Sequence, residues 1–422
     1  METRIIKGGL TVSGTITAIS SKSHLHRLII CACLANNGCK IEYEAELSKD
    51  IIATISCLET LGAVIKLGDG IIEIVKPIDK NNIPENPILD CNESGSTARF
   101  MLPIVSVLCK SATLTGKGKL PERPFEQLCE ALERMGAKFS SHKLPITIEE
   151  IANPQGFYEI SGNVSSQYIS GLLFTLPLCN ADGIKLTTEL ESGGYVNMTK
   201  DVMNLFGVKV KIENGIYTAD GTYQMTAGEL LYTEGDWSNA AFWFCSAKDK
   251  PVTVKGLYLG TEQPDWEIKT ILRQMGANIE DFADDITVSV SKRTHGVSFD
   301  ARNFPDIVPI LAVRAAVSKG KTVISGIRRL RIKESDRVKS VCDMINALGG
   351  NASFDDEHIY IKGRKQLKGG TVDSCNDHRI AMAAAIAACF CENDVEIIGS
   401  DAVSKSYSEF FEHYKKMTEE NV

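Results

Sequence analysis

Two kinds of apolar segment alternate along this chain. The first kind is apolar on nearly every side: "HRLIICACLA", "RFMLPIVSVL", "QYISGLLFTLPL", "NAAFWFCSA", "DIVPILAVRAAV" and "HRIAMAAAIAAC". A helix without a polar face is a buried one, so six buried helices are expected. The second kind is helix-like, ends in an apolar residue, and runs into Gly followed by a small residue or Val: "CLETLGAVI", "EALERMGAKF", "DVMNLFGVKV", "ILRQMGANI" and "MINALGGNA". Gly62, Gly136, Gly207, Gly276 and Gly349 thus recur roughly every 70 residues. Glycine there takes the left-handed conformation that closes a helix. Strand-like text such as "VKVKIENGIYTA" follows each stop. The repeating unit is helix, Gly stop, hairpin, and "SEFFEHYKKM" reads as a sixth helix whose hairpin is missing. This period lies above the roughly 20–50 residues of solenoid repeats. Six such units predict two α/β domains of three units each.

Every buried segment opens with polar or charged text: "SKSHLHR", "NESGSTAR", "SSQ", "EGDWSN", "NFPD" and "NDHR". Helix N-termini carry exposed N–H donors and a partial positive charge, so they bind anions. Three helices from each domain, aimed at one cleft, would make an anion trap. A serine such as Ser165 or Ser166 serves there both as a helix cap and as a phosphate contact. The same starts supply Lys22, Ser23 and Arg27, then Gly95 in a loop suited to an anion-binding nest, and Asp306 after Pro305. "NDHR" adds Asp377, His378 and Arg379. Outside the buried starts stand Arg123 before Pro124, Lys333, Glu334 and Arg337 in "RRLRIKESDRVKS", and Lys405. Read singly, each also fits a plain cap or a solvated charge. His24 and His26 are two residues apart and do not share a helix face, so no metal pair is expected.

The length of 422 residues suits two or three domains, and 43% hydrophobic with 24% charged residues is an ordinary globular composition. The net charge of −8 excludes bulk attraction to nucleic acid or to an anionic membrane. Any anionic ligand must therefore meet a local basic cluster. No apolar run is long enough to span a membrane, and the start "METRIIKGGLTVSG" lacks the apolar stretch of a signal peptide. Thirteen scattered cysteines without a C-x-x-C spacing predict reduced, buried thiols and a cytoplasmic location. P-loop, zinc, EF-hand and G-x-S-x-G patterns are absent.

Taken together, "SKSxxxR", "SGSTxR", "RP", "SSQ", "EGD", "PD", "KESDR", "DHR" and "SKSY" resemble, in order and spacing, the 5-enolpyruvylshikimate-3-phosphate synthase family of enolpyruvyl transferases. The match runs from Ser21 to Tyr407. The resemblance implies an α/β fold of two similar domains, each of three repeated βαβαββ-type units around buried helices (an inside-out α/β barrel), with the active site in the interdomain cleft. Residues 1–19 and 233–422 would form one discontinuous domain and 20–232 the other, with two crossing strands acting as a hinge. It also implies transfer of the enolpyruvyl group of phosphoenolpyruvate to the 5-hydroxyl of shikimate 3-phosphate, with release of phosphate, on the route to chorismate. No metal or organic cofactor is implied. The partners are the two small substrates, with neither nucleic acid nor membrane, and a monomer is expected.

By motif, Lys22, Ser23, Arg27, Ser165, Ser166, Gln167, Ser192, Asp306 and Lys333 correspond to shikimate 3-phosphate contacts, and Tyr195 lines the ring. Lys22, Gly95, Arg123, Gln167, Arg337, Arg379 and Lys405 correspond to the phosphoenolpyruvate side. Asp306 resembles the base for the 5-hydroxyl, with Lys22 and Glu334 as proton-transfer partners. The resemblance further implies inhibition by glyphosate beside Gly95, where an anion approaches bare backbone. Two positions depart from the family pattern: Arg329 stands where Asn is common, and "NESGSTAR" replaces "GNAGTxxR". UDP-N-acetylglucosamine enolpyruvyl transferases share the fold and chemistry, but carry a reactive Cys before their Arg-Pro. The corresponding "TGKGKLPERP" has none. A non-catalytic anion-binding module would not need Lys22, Asp306 and Glu334 together.

Overall fold

The computed structural model describes residues 2–225 and 230–419. Its helices are α1 (Lys22–Leu34), α2 (Lys49–Thr60), α3 (Gly95–Leu108), α4 (Glu126–Glu133), α5 (Ser166–Thr175), α6 (Gly193–Leu205), α7 (Trp237–Ser246), α8 (Ile268–Gln274), α9 (Val308–Ala316), α10 (Arg337–Ala347), α11 (His378–Ala388) and α12 (Phe410–Glu419). The odd-numbered helices are the six apolar segments; α7, α9 and α11 are buried along their whole length. Helices α2, α4, α6, α8 and α10 keep polar residues on one side and stop at Gly62, Gly136, Gly207, Gly276 and Gly349. All five glycines have φ between +77° and +98°, a region costly to any residue with a Cβ.

The chain forms two compact units, one from Ser20 to Thr233 and the other from the segment ending at Ile19 together with Glu234 onward. Within a unit each helix pair carries a small sheet. Around α3 and α4, Ile88–Asp90 runs parallel to Ala112–Thr115, which pairs antiparallel with Ile146–Glu150, which pairs in turn with Lys138–Phe139. The order βαβαββ recurs around α5–α6 and α9–α10. Alternating burial along the strands, as in Ile146–Glu150, puts one sheet face on the helices and the other in water. The three buried helices α7, α9 and α11 pack on one another. Gly171 lets α5 approach α3 closely: a Cβ there would lie 2.4 Å from the Arg99 carbonyl oxygen.

Two repeats are built by exchange. The strand before α1, Gly14–Thr17, pairs parallel with Val252–Lys255, which follows α7. The strand before α7, Leu230–Tyr232, pairs parallel with Cys39–Glu42, which follows α1. The sixth repeat, expected to lack its hairpin, is completed differently: Thr3–Ile6 at the start of the chain lies antiparallel to Val395–Ile398 and fills a hairpin strand's place. Sequence patterning is local and did not reveal this pairing of the two chain ends.

The left-handed stops generate a stability prediction. A Cβ on Gly62 meets nothing nearer than Pro84 Cδ at 3.8 Å, so backbone conformation alone opposes a side chain. Gly62→Ala is expected to lower the unfolding free energy by about 1–2 kcal/mol. Gly68→Ala, with nothing within 4 Å and no positive φ, is expected to change it by no more than about 0.5 kcal/mol. Urea unfolding of the two variants checks the pair; equal effects would remove the conformational explanation.

Candidate active site

In the unit Ser20–Thr233 the candidate residues stand at helix starts. Ser21 caps α1 through the His24 amide, Ser94 caps α3 through the Thr97 amide, and Ser165 caps α5 by accepting from the Gln167 amide at 3.3 Å. Lys22 Nζ lies 2.8 Å from Asp50 Oδ2 at the start of α2. A Cβ on Gly95 would come within 2.6 Å of Nη1 of both Arg123 and Arg99. Two guanidinium groups therefore stand against the Gly95 backbone and concentrate positive charge there. Gln167 is clamped between Arg99 Nη1, which donates to its Oε1 at 3.0 Å, and Ser96 Oγ, which accepts from its Nε2 at 2.9 Å. Ser166 is buried as the first residue of α5. Ser192 is buried with φ +57° just ahead of α6, a strained position for a residue with a side chain.

Arg27 is a brace. Its Nε donates to Thr199 Oγ1 at 2.7 Å, and its other donors reach the Ser23 and Tyr195 carbonyl oxygens and Ser170 Oγ. The ring of Phe100 lies 5.2 Å from its guanidinium carbon. Arg27 thus ties α1 to α5 and α6 and fixes the backbone at Ser23 and Tyr195.

In the other unit, Arg337 is the hub. It is 1% exposed and contacts three carboxylates: Asp377 through Nε (2.8 Å) and Nη2, Asp306 through Nη1 (2.7 Å), and Glu334 through Nη2 (2.8 Å). Burial alone would lower its pKa, but Asp377, Glu334 and Asp306 raise it above its ordinary value. Asp306 also accepts from Lys333 Nζ at 3.2 Å. Burial would raise the Asp306 pKa; Lys333, Arg337 and Arg379 outweigh it and hold the carboxyl well below the usual range. Burial lowers the pKa of Lys333, against the opposing pull of Asp306. Arg379, 4% exposed in the first turn of α11, has no hydrogen-bond partner for Nε or Nη1 among the described residues. Lys405 Nζ donates to the Asn376 carbonyl oxygen at 2.7 Å.

Three further residues contact these side chains: Asp377, read in the sequence only as part of "NDHR", and Arg99 and Asp50, absent from the expected set. Asp377, in "DHR", is 0% exposed; it caps α11 and also takes hydrogen bonds from Arg337 and Ser335. Arg99 closes the "SGSTAR" motif and was readable as its final residue. Asp50 has no motif around it; only the fold brings it to Lys22. Among the described residues, no helix is long and apolar enough to cross a membrane, and no group of three or more His, Cys, Asp or Glu stands together as a metal site.

The same fold occurs in known proteins. The EPSP synthase of Acinetobacter baumannii superposes with a TM-score of 0.80 at 24% identity, over 99% of this chain and 98% of that one. The enolpyruvyl transferase NikO from Streptomyces tendae gives 0.77 at 17% identity, over 99% and 97%. At those identities the likeness defines the fold, which is that of the enolpyruvyl transferases. A family model described as EPSP synthase (3-phosphoshikimate 1-carboxyvinyltransferase) matches residues 6–414. The chain is 40% identical over 420 residues to the 3-phosphoshikimate 1-carboxyvinyltransferase of Clostridium novyi (strain NT), covering 96% of this chain and 95% of that protein. It is also 40% identical over 416 residues to that of Clostridium acetobutylicum, with coverage of 96% and 95%. The chain belongs to the EPSP synthase family: it is a carboxyvinyl transferase of the shikimate pathway, acting on shikimate 3-phosphate and phosphoenolpyruvate.

The hub generates the second prediction. Asp377→Asn keeps shape and capping ability but removes one carboxylate from Arg337. Loss of one partner of a buried pair costs about 3–5 kcal/mol; Asp306 and Glu334 remain, so about 3 kcal/mol is expected from urea unfolding. A change below about 1 kcal/mol would show that Asp377 does not anchor Arg337.

Proposed function

We propose that Asp306 takes the proton of the 5-hydroxyl of shikimate 3-phosphate, while cations near the helix starts hold the two anionic substrates. Arg379 carries this reading. A buried guanidinium with two unpartnered nitrogens is unfavourable, by about 1–3 kcal/mol per unmade bond. A carboxylate or phosphate bound across its fork relieves that cost. Arg379 is accordingly assigned to phosphoenolpyruvate, with Lys22, Arg123, Arg337, Lys405 and the Gly95 backbone. Ser23, Arg27, Ser165, Ser166, Ser192 and Tyr195 are assigned to shikimate 3-phosphate together with Lys333, and Gln167 touches both.

The 5-oxygen adds to C2 of phosphoenolpyruvate as C3 gains a proton from Lys22 or Glu334. The tetrahedral adduct then returns a proton from C3 to the group that donated it as the C2–O bond to phosphate breaks, restoring the vinyl group and releasing phosphate. Lys333 and Arg337 keep Asp306 ionised but also weaken it as a base. A substrate phosphate competing for Lys333 loosens that restraint, so Asp306 gains basicity when the hydroxyl is in place. Positioned proton transfer contributes roughly 100- to 10,000-fold, and holding two reactants in register about 7–11 kcal/mol. The thirteen thiols are free and eleven are buried, in keeping with a cytoplasmic enzyme, and we take it to act as a monomer.

The wild-type protein is expected to release phosphate from phosphoenolpyruvate with shikimate 3-phosphate as acceptor and not with UDP-N-acetylglucosamine. Asp306→Asn is expected to lower kcat at least ~100-fold with both KM values within a few-fold; a variant within a few-fold of the parent would strip Asp306 of its role. A Cβ at residue 95 pushes on Arg123 and Arg99. Gly95→Ala should therefore weaken both phosphoenolpyruvate and glyphosate, and glyphosate more, because it is the longer molecule. Inhibition at varied phosphoenolpyruvate measures this; equal loss for the two ligands would show that the inhibitor does not border Gly95.

A further inference from the structure

His26 lies in the "SKSHLHR" motif and has no part in the scheme above. It is fully buried, and its Nδ1 lies 2.8 Å from Thr54 Oγ1. Thr54 Oγ1 lies 2.7 Å from Thr97 Oγ1. Thr97 Oγ1 lies 2.7 Å from Ser94 Oγ and 3.3 Å from the Asp50 carbonyl oxygen. Thr54, Thr97 and Ser94 are each 0% exposed. One unbroken chain of hydrogen bonds therefore joins α1, α2 and α3. It ends at Ser94, the cap next to Gly95, and at Asp50, whose carboxylate holds Lys22.

The direction of the chain follows from counting hydrogens. Each hydroxyl has a single one to give. His26 Nε2 has no hydrogen-bond partner among the described residues, and Phe100 stands edge-on to the ring at 6.2 Å. A proton on Nε2 would be a buried N–H without an acceptor, a rare arrangement. A proton on Nδ1 instead donates to Thr54, which donates to Thr97, which donates its one hydrogen to Ser94 Oγ at 2.7 Å, with the Asp50 carbonyl oxygen a longer second acceptor at 3.3 Å. Burial, then the nearby Lys22 and Arg27 cations, lower the His26 pKa well below its ordinary value, so the ring stays neutral and keeps one donor and one acceptor nitrogen.

We propose that His26 is a positioning residue for the transfer: its Nδ1–H drives the Thr54–Thr97–Ser94 chain in one direction, and that chain sets the first turn of α3, with Gly95, against Lys22 and Asp50. The proposal rests on the assignment of Lys22 and Gly95 to phosphoenolpyruvate. No bond forms or breaks at His26; its effect is on where the binding groups stand.

Three variants test it. Thr54→Val keeps shape and removes the middle hydroxyl, His26→Leu removes the first donor, and His26→Asn keeps an N–H near the place of Nδ1. The first two are expected to raise KM for phosphoenolpyruvate about tenfold and to leave KM for shikimate 3-phosphate within about twofold. Combining them should be no worse than the worse single change, since both cut one chain. His26→Asn should recover most of the loss. In ¹⁵N-histidine NMR spectra of the wild type, His26 should appear neutral and protonated on Nδ1 from about pH 6 to pH 8. Unchanged KM with only a lower Tm, additive effects in the double variant, or a ring protonated on Nε2 would each overturn the proposal. The NMR arm reads the tautomer whatever the substrates are. Failure of the substrate assignment shows separately, as absent wild-type turnover.

Discussion

The charge balance around Arg337 is the constraint on which the rest of its unit depends. Three carboxylates, Asp306, Glu334 and Asp377, meet one guanidinium that is 1% exposed. Carboxylates this close repel unless cations separate them, and desolvation makes each uncompensated charge expensive. Lys333 and Arg379 bring the cations to three, so the cluster is near neutrality before any ligand arrives. The unit Ser20–Thr233 is composed otherwise. Lys22, Arg99 and Arg123 stand at its helix starts, Arg27 braces three of its helices, and Asp50 is the carboxylate paired to Lys22. One unit holds a balanced set containing the proposed base, and the other holds an excess of positive charge at these positions. A chain of net charge −8 accommodates this because its acids are placed elsewhere, as in the exposed pairs of Lys117 with Asp90 and Lys211 with Asp220.

Helix capping and ligand chemistry compete for the same side chains, and the buried helices resolve that competition in different ways. Ser21, Ser94, Ser165, Asp236 and Asp377 accept from amides in the first turns of their helices. Helix α9 has no side-chain cap among the described residues; a short 3₁₀ turn, Pro305–Ile307, leads into it. Asp306 sits in that turn, and its carboxylate meets Lys333 and Arg337. An acid after Pro at a helix start reads as a cap in the sequence. Here it pairs with Lys333 and Arg337 at the 3₁₀ entry.

Much of the architecture was legible because its signals are local. Continuous apolar runs mark α1, α3, α5, α7, α9 and α11, and the glycine stops mark the alternate helices, since both arise within a single turn or two of chain. The caps at helix starts were legible for the same reason. What stayed hidden depends on pairing between distant segments. Asp50 is 28 residues from Lys22 and Thr199 is 172 from Arg27, and no periodicity announces either contact. The contacts of Arg27 with Thr199 and Ser170 join three helices far apart in the chain, and no local pattern foretells them. The closeness of Arg99 and Arg123 to the Gly95 backbone likewise depends on the fold and has no local signal.

The exchanged strands bear on how the chain is made. During synthesis the segment before Ile19 emerges first, yet its strand Gly14–Thr17 must wait for Val252–Lys255, and Thr3–Ile6 must wait for Val395–Ile398. The unit Ser20–Thr233 reaches its full complement of strands once Leu230–Tyr232 has left the ribosome. The other unit pairs Thr3–Ile6 with Val395–Ile398 in one sheet and closes only after the latter segment has emerged. Such long-range pairing is slow, and a nascent chain carries the waiting strands as unpaired edges. The order of events is therefore imposed by topology: the discontinuous half of the molecule is necessarily the last to form.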